Sequence, residues 1–399
     1  MDLTPLFKFV AEKQASDLFF SAGAPVYVKL DGELRPVNSQ VLDAAVVKKA
    51  AYSLMTEEQI RAFEADMEMN FGLSVPQAGR FRINVFRQRG SVAMVARFIS
   101  DKVPQLEALG LPTALKALAL EKRGLVLVVG ATGSGKSTTL ASLIDYRNAR
   151  KTGHILTIED PIEFVHKHQK SLVNQREIGI DTESYAVALV NALREAPDVL
   201  MIGEVRDTET MRQALIYTQT GHLCVATLHA NNAYHALNRI VNFFPQDERE
   251  HLLLDLSLSL RGVVSQRLVR GVDGKRVAAV EVLINTFYVS ELIQKGEIEK
   301  IKEAMDQSLS NGAQTFERAL LRLYRAGRIS REEAIHNADS QTDIEWLIDN
   351  APAEESAVPP NGPATIDATD MTQRIRASEN LEGFTISPDM FDQTGLPNK

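Results

Sequence analysis

Residues 125–138 read LVLVVGATGSGKST, an apolar run followed at once by a glycine-rich loop that ends in Lys-Ser-Thr. The run Leu125–Val129 predicts a buried strand, and the pattern Gly-x-x-x-x-Gly-Lys-Ser predicts a P-loop that opens a helix. Glycines in such a loop let backbone N–H groups point at phosphate oxygens, and the helix N-terminus favours the same charge. Lys136 is expected to reach the β- and γ-phosphates, and the Ser137 hydroxyl to hold Mg²⁺. The predicted nucleotide-binding residues of the loop are Gly130, Ala131, Thr132, Gly133, Ser134, Gly135, Lys136, Ser137 and Thr138.

Acidic residues follow two later predicted strands. The stretch DVLMIGE (198–204) is apolar and ends at Glu204, where a Walker B acid is expected in an adjacent strand. The stretch HILTIEDPIEF (154–164) ends in three carboxylates, Glu159, Asp160 and Glu163. Each acid could be an ordinary solvated residue, but beside a P-loop such groups bind Mg²⁺ and orient the attacking water. We predict Glu204, Glu163 and Glu159 as catalytic and Ser137 with Glu204 as Mg²⁺ ligands; which glutamate is the general base stays open.

The stretch GHLCVATLHA (221–230) places a histidine at each end of another predicted strand. His222 and His229 are either structural hydrogen-bonding residues or groups that sense the γ-phosphate or contact another subunit. Cys224, between them, is predicted to be a small buried side chain. No NKxD-type guanine motif follows the P-loop, which favours ATP over GTP.

From Thr113 onward, predicted strands alternate with helices. The predicted strands are 125–129, 154–159, 198–204 and 222–228, and the helices that follow the P-loop lie around 184–195, 208–220 and 232–241. Such alternation predicts an α/β domain with a mainly parallel sheet and right-handed crossovers. We expect residues 248–345 to be largely helical.

Residues 1–98 predict a smaller α/β domain, joined to the rest by a linker at 99–112 that contains Pro104, Gly110 and Pro112. Helices are predicted at 3–13 and 57–67, and strands at 18–23, 25–34 and 80–99, with Asp31-Gly32 as a hairpin turn. The last of these strand regions is rich in arginine: Arg80, Arg82, Arg87, Arg89 and Arg97. These residues form either a solvated hairpin edge or, in part, a group that reaches a nucleotide across the cleft between domains.

The composition of the 399 residues, 44% hydrophobic and 24% charged, is that of an ordinary globular protein of two or three domains. A net charge of −8 argues against a nucleic-acid partner, and a single cysteine excludes an intrachain disulfide. We find no signal peptide and no run of about 18 apolar residues, so we expect a cytoplasmic protein without direct membrane insertion. Residues 351–399, rich in proline and acidic groups, are expected to form a disordered tail.

Four of these stretches together resemble a known family. GATGSGKSTT (130–139), ILTIEDPIEF (155–164), DVLMIGEVRD (198–207) and GHLCVATLHANNA (221–233) are similar to the Walker A motif, Asp box, Walker B motif and His box of secretion ATPases. Over residues 1–345 the chain resembles the PilT/PilU family of type IV pilus retraction ATPases. The resemblance implies a PAS-like N-terminal domain, a RecA-like ATPase domain at 113–350 with a C-terminal helical region, and a homo-hexameric ring with nucleotide between the domains.

The site residues follow from the resemblance motif by motif. Lys136 and Ser137 match the Walker A ligands, Glu204 matches the Walker B glutamate, and Glu159 with Glu163 match the Asp-box acids. His222 and His229 match the paired histidines of the His box. Arg82 and Arg97 match arginines of the N-terminal domain that reach the nucleotide, and Arg80 is a weaker match. ATP and Mg²⁺ are the implied cofactors.

Within the family the chain most resembles PilU-type members. The stretches NTFYVSELIQKGEIEKIKEAM (285–305) and TFERALLRLYRAGRISREEAIHNADS (315–340) stand where PilT-type members carry an AIRNLIRE motif, and Phe19-Phe20 replaces a more polar start. This implies an accessory motor that works with a PilT-like motor ring, acts through an inner-membrane platform protein and is recruited peripherally at the pilus base. The alternatives are a primary PilT-type motor and a nucleotide-binding adaptor with little turnover. An assembly ATPase would be expected to carry a longer N-terminal module.

Overall fold

The computed structural model describes residues 1–30, 32–307 and 312–351, which form two compact units. Of the described residues, the first unit contains Met1–Lys102 and Glu163–Val165, and the second contains Val103–Ile162 and residues 166–351. The chain passes from the first unit to the second inside the segment predicted to be a linker. The predicted tail beyond Ala351, and Asp31 of the predicted hairpin turn, lie outside the described residues.

The first unit is an antiparallel sheet with three helices. Its strands are β1 Asp17–Phe20, β2 Tyr27–Leu30, β3 Glu33–Pro36, β4 Glu68–Val75, β5 Gly79–Gln88 and β6 Ser91–Ile99, in the order β3-β2-β1-β6-β5-β4. Its helices are α1 Thr4–Lys13, α2 Ala44–Tyr52 and α3 Glu57–Asp66. Along β5, Phe81 and Ile83 enter the core while Arg80 and Arg82 alternate with them on the opposite face. The predicted PAS-like α/β architecture is confirmed.

The second unit is built on a seven-stranded sheet in the order β13-β12-β7-β11-β10-β8-β9. Its strands are β7 Gly124–Val129, β8 Gly153–Glu159, β9 Ser171–Glu177, β10 Val199–Ile202, β11 Leu223–Leu228, β12 Leu260–Arg270 and β13 Arg276–Ile284. Its helices are α4 Ala114–Ala119, α5 Lys136–Asn148, α6 Tyr185–Ala192, α7 Thr208–Gln219, α8 Ala233–Phe243, α9 Arg249–Ser259, α10 Phe287–Gln294, α11 Ile301–Asp306, α12 Phe316–Arg325, α13 Arg331–His336 and α14 Gln341–Asn350. Every strand pair is parallel except β12 with β13, so the predicted mainly parallel, RecA-like sheet is confirmed.

The central strands are buried on both faces. Along β7, Leu125 and Leu127 pack in a cluster with α7, α8 and α9, whereas Val126 and Val128 pack in a second cluster with α4 and α5. This arrangement explains why the strand is apolar at every position and does not alternate. Within the described ranges, none of the helices is both long and apolar enough to cross a membrane.

The expectation that residues 248–345 are largely helical is wrong for residues 260–284. This segment forms the antiparallel pair β12 and β13, which extends the sheet beyond β7. The stretch LRGVVSQRLVR of β12 is largely buried because its two faces pack in different clusters, Val263 with α7, α8 and α9 and Val264 with α4 and α5. A strand that is buried on both faces lacks period-two alternation, so periodicity cannot distinguish it from a buried helix.

A buried carboxylate lies beneath the start of α8. Glu281 on β13 is 4% exposed, and its Oε1 accepts hydrogen bonds from the backbone N–H of Ala233 at 2.7 Å and from the Ser265 hydroxyl at 2.9 Å. Burial, with smaller contributions from Asp339 and Glu317, raises the pKa of Glu281 from 4.5 to about 7. The folded protein therefore holds this proton more tightly than the unfolded chain does.

Because the pKa of Glu281 is higher in the folded state, its contribution to stability is lost as the pH rises from 4.5 through about 7. We expect Glu281→Gln, which keeps the Oε1 acceptor and carries no charge, to stabilise the protein at pH 8 relative to wild type by about 1 kcal/mol. The advantage should shrink toward pH 5. Thermal unfolding across this pH range measures the effect, with the exposed Glu303→Gln on α11 as control. If the melting temperatures of wild type and Glu281→Gln changed with pH in the same way, the prediction would be contradicted.

Candidate active site

The loop between β7 and α5 has the geometry of a phosphate cradle. The Lys136 side chain folds back over the loop, and its ammonium donates to the carbonyl oxygens of Gly130 at 2.9 Å and Ala131 at 3.0 Å. Gly135 has a left-handed φ of +88° and begins α5 without a side chain to cap the first turn. The N-terminus of α5 therefore begins directly at the loop, and helix N-termini favour phosphate oxygens.

Gln266 on the neighbouring strand β12 supports this loop. Its side chain is buried, with Nε2 donating to the Ser134 carbonyl at 2.8 Å and Oε1 accepting from the Thr139 hydroxyl at 2.6 Å. A Cβ at Gly130 would lie 2.5 Å from the Gln266 carbonyl oxygen, and one at Gly135 would lie 2.8 Å from its Nε2. Only glycine fits at these two positions, because the loop packs directly on Gln266. No motif of the sequence marked Gln266 as a site residue.

The carboxyl ends of four neighbouring strands bring charged side chains together. In the sheet order β7, β11, β10 and β8, these strands lead into the P-loop, His229, Glu204 and Asp160. His229 lies between two of the predicted groups, with its Nδ1 3.4 Å from Lys136 Nζ and its Nε2 3.1 Å from Glu204 Oε1. The other Glu204 oxygen accepts from Arg206 Nε at 2.7 Å, and Arg206 Nη1 lies 3.6 Å from Asp160 Oδ2. We call these five residues, Lys136, His229, Glu204, Arg206 and Asp160, the edge network.

The two contacts of His229 define its tautomer. A lysine ammonium has donors but no acceptor, so the Nδ1 that faces Lys136 is the unprotonated nitrogen. The Nε2 then carries the hydrogen and donates it to Glu204. The neutral ring therefore connects the phosphate-binding cation to the Walker B carboxylate.

The backbone at Glu204 is fixed by Tyr185, the first residue of α6. The Glu204 N–H donates to the Tyr185 hydroxyl, and burial raises the pKa of that hydroxyl. A Cβ at Gly203 would lie 2.8 Å from the same oxygen, so the turn after β10 packs closely against the ring. The strand beside β10 in the sheet, β8, ends in Glu159, whose Oε1 accepts from Thr157 Oγ1 at 2.7 Å and from Gln175 Nε2 at 3.0 Å.

The structure separates the two predicted histidines. His222 precedes β11 and His229 follows it, so they lie at opposite ends of a six-residue strand, about 23 Å apart at 3.3 Å per residue. The backbone carbonyl of His222 pairs with Gly124 at the amino end of β7, away from the P-loop. His222 therefore does not join the phosphate site of its own chain. A contact with another subunit remains the prediction for this residue.

Three further predicted residues belong to the first unit. Arg82 and Arg97 are directly opposite each other on β5 and β6, and Arg97 Nε pairs with the buried Asp17 at 2.8 Å. Glu163 is grouped with the same unit. The approach of these three side chains to a nucleotide stays a prediction.

Comparison with known proteins agrees with this site. Residues 2–345 match the family described as type II/IV secretion system protein. The chain is 50% identical to the type IV pilus ATPase PilU of Pseudomonas aeruginosa, over 87% of this chain and 91% of the relative. It is 44% identical to the type IV pilus retraction ATPase PilT of the same organism, over 85% of this chain and 98% of the relative. The crystal structure of the pilus retraction motor PilT with bound ADP matches with a TM-score of 0.81 and 42% identity, covering 86% of this chain and 99% of that one.

The fold and the phosphate cradle define a P-loop ATPase, a protein that binds and hydrolyses ATP. The chain belongs to the type II/IV secretion system protein family, in its PilT/PilU group of type IV pilus retraction ATPases.

Gln266→Leu tests the support of the P-loop. The change keeps the volume but leaves the Ser134 carbonyl and the Thr139 hydroxyl without their partner, at about 1–3 kcal/mol for each unsatisfied group. We expect nucleotide affinity to fall about tenfold, which corresponds to 1.4 kcal/mol. Titration with a fluorescent ADP analogue measures the effect.

Gln314→Leu is the matched control for this variant. Gln314 is buried and makes the same two kinds of bond, to the Val280 carbonyl at 2.6 Å and from Arg322 Nη1 at 2.6 Å, but it does not contact the P-loop. Gln314→Leu should lower the melting temperature and leave nucleotide affinity unchanged. Equal affinity losses in both variants would show that Gln266 acts only through global stability.

Proposed function

We propose that this chain couples ATP hydrolysis to the retraction of type IV pili, as a PilU-type accessory motor that works with a PilT-like ring. The observation that carries the ATP-hydrolysis part of the proposal is the edge network, in which His229 joins the phosphate-binding Lys136 to the Walker B residue Glu204. The similarity to PilU and PilT over most of both chains supports the pilus as the object of the motor.

The side chains at the cradle fit ATP with Mg²⁺. The Ser137 hydroxyl and the Glu204 carboxylate offer oxygen ligands, and Mg²⁺ is usually held by one or two carboxylates together with substrate phosphates. Among residues 1–30, 32–307 and 312–351, no group of three or more His, Cys, Asp and Glu side chains could hold a metal ion by itself. When bound, Mg²⁺ would neutralise charge on the phosphates.

The cradle and the predicted catalytic glutamates then divide the work of hydrolysis. The P-loop N–H groups and the Lys136 ammonium bind the phosphates, and a glutamate among Glu204, Glu159 and Glu163 orients the attacking water. As Lys136 turns to a phosphate oxygen, it moves from the Nδ1 of His229. His229 thereby reports occupancy of the cradle to Glu204, and this change in contacts biases the ATPase between two states.

We further propose a homo-hexameric ring in the cytoplasm, recruited to the inner membrane at the pilus base through the platform protein. In this ring Arg82 and Arg97 reach the nucleotide, and His222 contacts a neighbouring subunit. The match to PilT over almost the whole of that chain supports an assembly of the same kind.

Purified protein and a retraction assay test the proposal together. ATP turnover and oligomer mass are measured with and without nucleotide, and pilus retraction is scored in cells that lack retraction motors. An accessory motor turns over ATP and speeds retraction only when a PilT-type motor is also expressed. Retraction by this chain alone identifies a primary motor, and negligible turnover with preserved binding identifies a regulatory adaptor.

Lys136→Ala removes the cation of the cradle. We expect turnover to fall about 100-fold or more, since a positioned charge at the reacting phosphate is lost. Lys151→Ala is the matched control, because Lys151 Nζ also bonds a backbone carbonyl, that of Leu120 at 2.6 Å, away from the P-loop. A phosphate-release assay compares the two variants, and wild-type turnover in Lys136→Ala would refute the assignment.

A further inference from the structure

We infer that Arg206 is a positioning residue for ATP hydrolysis, which holds the Glu204 carboxylate and couples it to Asp160. Arg206 is the link in the edge network between the carboxyl ends of β10 and β8, with its Nε on Glu204 Oε2 at 2.7 Å and its Nη1 3.6 Å from Asp160 Oδ2. The inference rests on the ATPase activity and does not require that the motor act on pili.

The segment that carries Arg206 is anchored on both sides. Val205 is buried, and its N–H donates to the Thr227 carbonyl at 2.8 Å. Asp207 caps α7 by accepting from the Thr210 N–H at 2.8 Å. Because the backbone is fixed before and after it, the guanidinium is presented to Glu204 from a rigid turn.

Arginine suits the position between Glu204 and Asp160 better than lysine does. Glu204 and Asp160 are two carboxylates on neighbouring strand ends, and the planar fork of one guanidinium faces both from different nitrogens. A lysine supplies the charge but only a single nitrogen. Exposed ion pairs contribute little in general, but the Glu204 side chain is only 17% exposed, so its partner constrains its direction.

The orientation of Glu204 depends on two opposing contacts. His229 holds one carboxylate oxygen and Arg206 holds the other, so removal of Arg206 leaves the carboxylate attached on one side and next to an unscreened Asp160. The P-loop and Lys136 are not bonded to Arg206. Loss of Arg206 should therefore affect the chemical step more than nucleotide binding.

The test compares Arg206→Gln, Arg206→Lys, Asp160→Asn and the double variant Asp160→Asn/Arg206→Gln in steady-state ATP hydrolysis. We expect Arg206→Gln to lower kcat about tenfold or more, with KM for ATP and the affinity for a fluorescent ADP analogue within about threefold of wild type. Arg206→Lys should recover part of the loss. The double variant should be no slower than Arg206→Gln, because the two residues act as one unit.

Arg212→Gln is the matched control. Arg212 on α7 is similarly exposed and makes a comparable ion pair, Nη2 to Glu248 Oε2 at 2.6 Å, outside the edge network. It should leave kcat unchanged. The inference is overturned if kcat of Arg206→Gln stays within twofold of wild type, if KM rises in proportion to the loss of kcat, or if the Asp160 and Arg206 effects multiply. The same holds if Arg206→Gln lowers kcat only in proportion to a loss of folded protein, as measured by its melting curve.

Discussion

The second unit depends on the parallel pairing of β7, β11, β10 and β8, because that pairing aligns their carboxyl ends at one edge of the sheet. The registers Val129 with Leu228, and Ile202 with Ala226 and Ile158, place the residues that follow each strand beside one another. A one-residue slip in any pair would exchange the two faces of a strand and displace its last side chain. Such a slip would also move side chains between the two buried clusters, and the close packing of each cluster opposes this exchange. The packing of the apolar strands therefore also determines the chemistry at their ends.

Charge balance explains how the edge network persists in a partly enclosed site. It contains two cations, Lys136 and Arg206, and two carboxylates, Glu204 and Asp160, with the neutral ring of His229 between Lys136 and Glu204. Each charge therefore has an opposite charge or a hydrogen bond nearby, as partly buried ions require. The arrival of phosphate adds negative charge at the Lys136 end alone. Nucleotide therefore changes the charge balance of the edge network at the Lys136 end. The proposed role of His229, to report occupancy of the cradle, requires such a change.

The sequence was sufficient for those parts of the site whose chemistry is local. The P-loop, the parallel sheet around it and the strand-end positions of Glu204 and His229 were predictable, since each follows an apolar run directly. Gln266 and Arg206 were not identified as site residues, because their roles come from contacts made between separate elements. The strands β12 and β13 were mistaken for helix for a related reason: side chains on both faces of these strands are buried, which removes the alternation that marks a strand. The distance between His222 and His229 also follows from structure, since strand length decides whether two motif residues can meet.

The two cations of the network differ in what holds them, and this difference suggests which one moves. Lys136 is bonded to two backbone carbonyls and lies beside a neutral imidazole nitrogen, all of them uncharged acceptors. Arg206 faces two carboxylates, so both partners in each of its contacts carry a charge. An incoming phosphate adds a charged acceptor at Lys136 beside its two backbone carbonyls, whereas Arg206 lies at the opposite end of the edge network. We therefore expect Lys136 to be the member that changes partners during the ATP cycle, and Arg206 to be the fixed point against which Glu204 is held.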